Sequence, residues 1–397
     1  MGGTWDLFKY PGIRSDSDLY TFGYSFRPWL DDRAFADGAK IKTYVEDTAR
    51  ENGIDRHINF GHSVSAASWD SKTALWTVTV STGGAVKTMT CHVLYMCPGY
   101  YDYEKGYLPE WDGTDTFGGT LIHPQAWPED LDYSGKKIVV IGSGATAVTL
   151  IPSLSETAGH VTMLQRSPTY IVEMAAIDPL AIRTRKMFGA KFSHKLIRWK
   201  NILRTIFYYQ LARRFPDYMK KQVMKGAAAA IGPDFDVETH LNPTYNPWDQ
   251  RVCIDKDGEM FAALRDGKAS IETGHIAAFT ETGLALKSGK TLDADIIVAA
   301  TGLNMRFMGG VALTVDGAPV KPSDTYMYKG MMFSGLPNLF YSIGYTNASW
   351  TLKCELIARY ACRLINEMDK TGMPIIVPEE NGNITPQPAL DLQSGYI

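Results

Sequence analysis

The sequence predicts an α/β fold organised around a parallel sheet, and three observations carry that expectation. Residues 136–141 (KKIVVI) form a continuous β-branched run, as expected of a strand buried on both faces, and they end directly in glycines. A helical stretch and a second strand at 160–164 (HVTML) follow, giving a βαβ unit of about 30 residues. Much later, residues 294–300 (ADIIVAA) repeat the buried-strand pattern and are capped by Thr301-Gly302.

Composition bounds the rest. At 397 residues, and about 150 per domain, the chain has room for two or three domains, one of them interrupted by another. With 45% hydrophobic and 21% charged residues it is ordinary globular material, which excludes a disordered, collagen-like or coiled-coil chain. A formal charge of −3, from 40 Lys+Arg against 43 Asp+Glu, offers no overall attraction to nucleic acid. The cysteines (Cys91, Cys97, Cys253, Cys354, Cys362) are odd in number, scattered and free of any C-x-x-C pair. That argues against a disulfide framework or a metal site and favours a reducing cytosol. No apolar run approaches the roughly 20 residues that cross a bilayer, and the N-terminus lacks the parts of a signal peptide. The expectation is a soluble, cytoplasmic protein.

Taken in order, residues 1–24 are rich in Gly, Asp, Tyr and Pro and read as loop. Residues 41–52 (IKTYVEDTAREN) have helical spacing with Gly53 as a stop. Residues 76–80 (WTVTV) alternate like a half-buried strand turning at Gly83-Gly84, and 92–97 (HVLYMC) read as a short strand before Pro98-Gly99. Residues 181–230 are helical in pattern and strongly basic. Thirteen Lys or Arg lie between Arg183 and Lys225 against one acid, Asp217, and Pro216 breaks the run. A hairpin-like region (269–280, then 284–286 and Gly289) precedes the last buried strand. No tandem repeat of solenoid period is present.

The motif with the plainest physics is Gly142-Ser143-Gly144-Ala145-Thr146-Ala147, placed between strand and helix. Gly142 permits the tight turn, Gly144 lets a pyrophosphate approach the backbone, and small Ala147 lets helix and strand pack closely, while the helix N-terminus offers N–H groups to phosphate. This is the pattern of a dinucleotide site. An NAD site usually places an acid at the end of the second strand; here the strand runs into Gln165-Arg166-Ser167, whose guanidinium and hydroxyl suit a 2′-phosphate, so NADPH is expected over NADH.

Just upstream stands Phe117-x-Gly119-x-x-x-His123-x-x-x-Trp127-Pro128. With this long pattern the chain resembles the flavin-dependent Baeyer–Villiger monooxygenases, and the Trp127-Pro128 ending separates it from the related flavin-containing monooxygenases. The resemblance extends over Gly2-Gly3-Thr4-Trp5-Asp6, Tyr10 to Asp18 (YPGIRSDSD), Asn246 to Arg251 (NPWDQR), Ala300-Thr301-Gly302 and Gly344 to Trp350 (GYTNASW). Among subgroups it is similar to the ethionamide-activating ketone monooxygenases.

The resemblance implies two Rossmann-like domains, an NADPH domain at 133–300 inserted into an FAD domain formed by 1–132 and 301–397, with a basic helical insertion at about 178–232. It implies that Thr4, Trp5, Asp6, Leu7, Arg14, Ser15, Asp16 and Val64, together with Thr301 and Gly302, contact cofactor alongside the residues of the phosphate loop and Arg166-Ser167. Arg251 would stabilise an anionic flavin peroxide and Asp16 would hold that arginine. His123 would act at a distance, coupling domain movement to cofactor binding, and not as a proton donor. The implied reaction inserts one atom of O2 into a ketone to give an ester or lactone, with S-oxygenation of sulfides or thioamides as a side activity.

Two alternatives stay open: an N- or S-oxygenating flavin-containing monooxygenase, and a truncated, inactive nucleotide-binding remnant. The family's flavin G-x-G-x-x-G turn should occupy the stretch of about 40 residues before Gly2, and the C-terminus stops short of the family pattern. The expectation is therefore an FAD domain lacking its first βαβ unit, and a chain that binds NADPH but retains little FAD. The basic segment reads either as a solvated face or, with Trp199, Phe207, Tyr208 and Tyr209 among its cations, as a peripheral membrane contact.

Overall fold

The computed structural model describes residues 1–250, 252–380, 382 and 385–388. The chain divides into two compact units, one built from residues 1–49 and 103–304 and the other from 50–102 with residues from 305 onward.

The first unit centres on five strands: β1 (Thr120–Ile122), β2 (Lys137–Ile141), β3 (His160–Gln165), β4 (Ala269–Thr273) and β5 (Ile296–Ala299). They lie in the order β4-β3-β2-β5-β1, and every neighbouring pair is parallel. Ile138 faces Val161 on one side and Ile296 on the other. Successive side chains of β2 point to opposite faces. Ile138 and Val140 pack with Val148, Ile151 and Leu154 of helix α1 (Ala145–Ser155). Val139 and Ile141 pack with Phe279, Leu284 and Leu286 of a small antiparallel sheet (Ile276–Thr280, Gly283–Leu286, Thr291–Asp293). Burial on both faces is why this strand has no polar alternation, and each fully buried aliphatic contributes about 1.5–3 kcal/mol.

Two expectations need correction here. Residues 269–273 are no part of a hairpin: they pair in parallel with β3 and finish the sheet edge, and the antiparallel turn begins only at Ile276. The stretch 1–24 is not all loop. It holds two single helical turns, Thr4–Leu7 and Leu19–Phe22. The second forms because the Asp18 carboxylate accepts the Tyr20 and Thr21 N–H groups, a local cap that composition does not reveal.

The basic segment forms three helices, α2 (Pro179–Phe188), α3 (Ala190–Arg214) and α4 (Pro216–Ile231). Pro216 opens α4 at its first turn, where its missing N–H costs nothing. The earlier break falls at Gly189, whose φ of 79° suits glycine.

In the second unit, Ser63–Asp70, Leu75–Thr82 and Ala85–Cys91 form an antiparallel meander. Ala312–Val315 pairs in parallel with Ser63–Asp70 and carries Ala318–Val320 at its outer edge. Trp69 and Trp76 stand directly opposite one another with ring centroids 5.6 Å apart, and both are fully buried. Leu94–Met96 pairs in parallel with Leu339–Tyr341, and Trp350–Thr371 is a long helix. Among the described residues no helix is long and apolar enough to cross a membrane.

Candidate functional site

The candidate site is assembled at the carboxyl edge of the parallel sheet, where β1, β2, β3 and β5 each end in a segment singled out by the sequence. In open parallel sheets this edge is where ligands bind.

Gly142 follows β2 with φ 128°, and a Cβ there would stand 2.3 Å from the Ala300 carbonyl oxygen at the end of β5. Only glycine fits. Its N–H donates to Leu164 O, which ties the turn to β3. Gly144 is the N-cap of α1 and, having no side chain, supplies no acceptor of its own to the first-turn N–H groups. Such a turn is a ready anion site. Ala147 is fully buried against the sheet, as the close helix-strand approach requires. Ser143 Oγ donates to Ser167 O at 3.3 Å, joining the phosphate loop to the end of β3. A dinucleotide pyrophosphate therefore fits the residues present. Ala145 and Thr146 occupy the half-buried first turn.

At the end of β3, Gln165 is buried and structural, its amide nitrogen donating to His240 O at 2.6 Å and to Thr273 Oγ1 at 2.9 Å. Arg166 and Ser167 are exposed beyond it, with Ser167 bonded to the phosphate loop through its carbonyl.

His123 follows β1. Its Nδ1 accepts the Gln125 N–H at 3.1 Å and its Nε2 donates to Gly302 O at 2.9 Å, which fixes one neutral tautomer. Burial holds the imidazole below its usual pKa of 6.5, against the smaller opposite pull of the Gly302 carbonyl. A neutral ring with both nitrogens engaged is a clamp between the fingerprint loop and the turn after β5. Thr301 Oγ1 donates to Tyr107 O, and Tyr107 N–H donates to Gly302 O, closing the same knot. Gly106 makes it possible: a Cβ there would lie 2.1 Å from His123 Cε1. Sequence reading missed Gly106, because nothing near it in the chain marks a close approach. Trp127 is buried in the core beneath, edge-on to Tyr133.

The segments expected to contact flavin lie in the same unit, except Val64, which belongs to the other unit on Ser63–Asp70. Thr4, Trp5, Asp6 and Leu7 form the first helical turn; Thr4 Oγ1 bonds the Tyr103 hydroxyl at 3.0 Å, and Lys42 pairs with Asp6 and lowers its pKa. Ser15 Oγ binds both the N–H and the carbonyl of Ser17, so the backbone on either side of Asp16 is pinned. Arg14 is buried and pairs with Glu259 at 3.1 Å, and its Nη2 has no hydrogen-bond partner among the described residues. Arg251 lies outside the described residues. The loop before it holds Trp248 at φ 68°, a conformation rare for a bulky side chain.

The flavin-binding monooxygenase-like family profile matches residues 19–371. The FAD-containing monooxygenase EthA of Mycolicibacterium smegmatis is 51% identical over 399 residues, spanning 100% of this chain and 81% of that protein. The probable FAD-binding monooxygenase AlmA of an Acinetobacter species is 47% identical over 403 residues, spanning 100% and 80%. Among solved structures, an open form of cyclohexanone monooxygenase superposes with a TM-score of 0.79 at 21% identity, covering 95% of this chain and 82% of that one. An oxidized steroid monooxygenase bound to NADP gives 0.77 at 23% identity, covering 94% and 80%. The chain shares the fold of these proteins.

Proposed function

The chain belongs to the flavin-binding monooxygenase-like family, and from that premise we propose that it is an NADPH- and FAD-dependent Baeyer–Villiger monooxygenase, converting ketones to esters or lactones with O2. S-oxygenation of sulfides or thioamides is proposed as a side activity, and the cytoplasm as its location. Peripheral membrane contact through the basic segment belongs to the same proposal.

The observation that carries the reading is the His123–Gly302 clamp, which ties the long fingerprint to the turn beside the phosphate loop. FAD, when bound and reduced by NADPH, would supply the oxygen-transferring chemistry. The protein's part is to bind and orient. The uncapped first turn of α1 holds the NADPH pyrophosphate, and Arg166 with Ser167 takes the 2′-phosphate. Asp16, on its pinned backbone, orients Arg251, whose fixed positive charge stabilises developing negative charge at the reacting centre. His123 stays neutral and moves no proton; its role is to keep β1 and β5 in register with the nucleotide.

The test is product analysis with FAD-loaded enzyme and NADPH, offering a cyclic ketone against a tertiary amine. Lactone as the main product supports the reading, with Arg251→Ala abolishing it while NADPH affinity persists. Amine N-oxide without lactone would move the chain to the N-oxygenating relatives.

A further inference from the structure

Helix α3 turns a largely polar side inward: Ser193, His194, Arg198 and Asn201 are all buried, beside apolar Ile197 and Ala212. Arg198 donates to the carbonyls of Tyr20, Thr21 and Gly23, and Asn201 donates to the Asp18 carboxylate at 2.8 Å. The opposite side carries Phe192, Leu196, Trp199, Leu203, Ile206 and Phe207, all between 41% and 61% exposed. These follow the i, i+4, i+7, i+11, i+14, i+15 rhythm, so they make one straight apolar stripe about 22 Å long. Residues 203–210 are exposed all round the helix. Folding normally hides such a stripe, and an uncovered patch of this size marks a binding surface.

Charge selects the partner. Helix α3 contains no acid. Exposed Lys191, Lys195, Arg204 and Arg214 border the stripe, while Lys200 and Arg213 pair with Asp178 and Asp249. A second copy meeting this face symmetrically would set cation against cation, a costly arrangement. What fits is a medium that is apolar at its centre and anionic at its margin. Tyr208 and Tyr209 are exposed on the same helix but helical spacing sets them off the stripe. Exposure on every side of 203–210 suits partial immersion in a fluid medium better than a rigid groove.

We propose that the outward face of α3 docks in the plane of an anionic lipid bilayer, with Leu203 and Phe207 in the C-terminal half of the immersed stripe and the flanking cations on lipid headgroups. This narrows the membrane contact proposed above to one helix face and one lipid chemistry, and it does not rest on the oxygenation chemistry.

The test is co-sedimentation of the full chain with vesicles of phosphatidylcholine alone and of phosphatidylcholine with phosphatidylglycerol. Binding should require phosphatidylglycerol and weaken as salt rises. Leu203→Ser/Phe207→Ser should cut the bound fraction about tenfold or more, and Lys195→Gln/Arg204→Gln should flatten the salt dependence, both with unchanged far-UV circular dichroism and NADPH affinity. Absence of binding, indifference to lipid charge, or unaltered binding by the serine variant would overturn the proposal. So would an oligomer that the serine variant converts to monomer, or capture of an acidic protein without lipid binding. Failure of the enzymatic reading would leave the sedimentation and circular dichroism readouts in place.

Discussion

Replacing Gly106 with alanine tests whether the fingerprint histidine is held as its contacts indicate. The new methyl carbon would lie 2.1 Å from Cε1, 2.3 Å from Nδ1 and 2.6 Å from Nε2 of His123. Gly106 has no left-handed backbone angle, so alanine is unstrained there and the ring is the whole obstacle. To make room the imidazole must leave, breaking its bonds to Gly302 O and from the Gln125 N–H. Each bond is worth about 0.5–1.5 kcal/mol net, and a group left buried without a partner costs more, so the loss should total about 2–4 kcal/mol. In a domain of this size that corresponds to a fall in Tm on the order of 5–15 °C. The assay is thermal unfolding of four proteins: wild type, Gly106→Ala, His123→Ala and the double variant. Once the ring is gone the alanine has nothing to strike, so Gly106→Ala should be nearly neutral in the His123→Ala background, and the coupling should exceed about 1 kcal/mol. Equal cost in both backgrounds would show that the ring does not occupy this place, and the clamp would have to be abandoned.

The two glycines of the phosphate loop should separate stability from affinity. Gly142→Ala meets an immovable backbone carbonyl and a φ of 128°, and should cost about 3 kcal/mol or more in thermal unfolding. Gly144, at φ −80°, imposes no backbone strain on alanine, so its variant should cost less Tm than Gly142→Ala and lose NADPH affinity by titration. Arg166→Ala should leave Tm unchanged and lower the NADPH-over-NADH preference about 10- to 100-fold in steady-state kinetics. His123 has its pKa lowered from 6.5: the unfolded chain takes up the proton first, so its stabilisation is complete above that value and is lost as pH falls through the depressed one. A Tm profile from neutral pH down to about pH 5 should therefore flatten in His123→Gln.

The nucleotide half of the fold was legible because its signals are local. KKIVVI, the glycine turn and ADIIVAA announce themselves without reference to distant residues, and the structure places β2, the phosphate loop and β5 accordingly. What could not be read depends on partners far away in the chain. Ser63–Asp70 owes one of its edges to Ala312–Val315, and β1 is only three residues long. Gly106 matters solely because His123 leans on it. The 3.6-residue rhythm of α3 was visible, but not that its Arg198 side would turn inward; there Arg198 donates to the carbonyls of Tyr20, Thr21 and Gly23, which lie far off in the chain. Asp18 likewise serves two masters, capping Leu19–Phe22 and receiving Asn201.

The strand order also sets a timetable for the growing polypeptide. Lys137 and Asp295 bond across β2 and β5 although 158 positions separate them, and β1 reaches the sheet only through β5. At about 5–20 residues per second, a nascent chain must wait roughly 10–30 s with one rim of β2 open and the strand before His123 unmoored. An uncovered rim invites pairing with other molecules. Yield of active protein should thus depend on holding that interval safe, through chaperones or slow, cool expression, more than on the strength of the finished core.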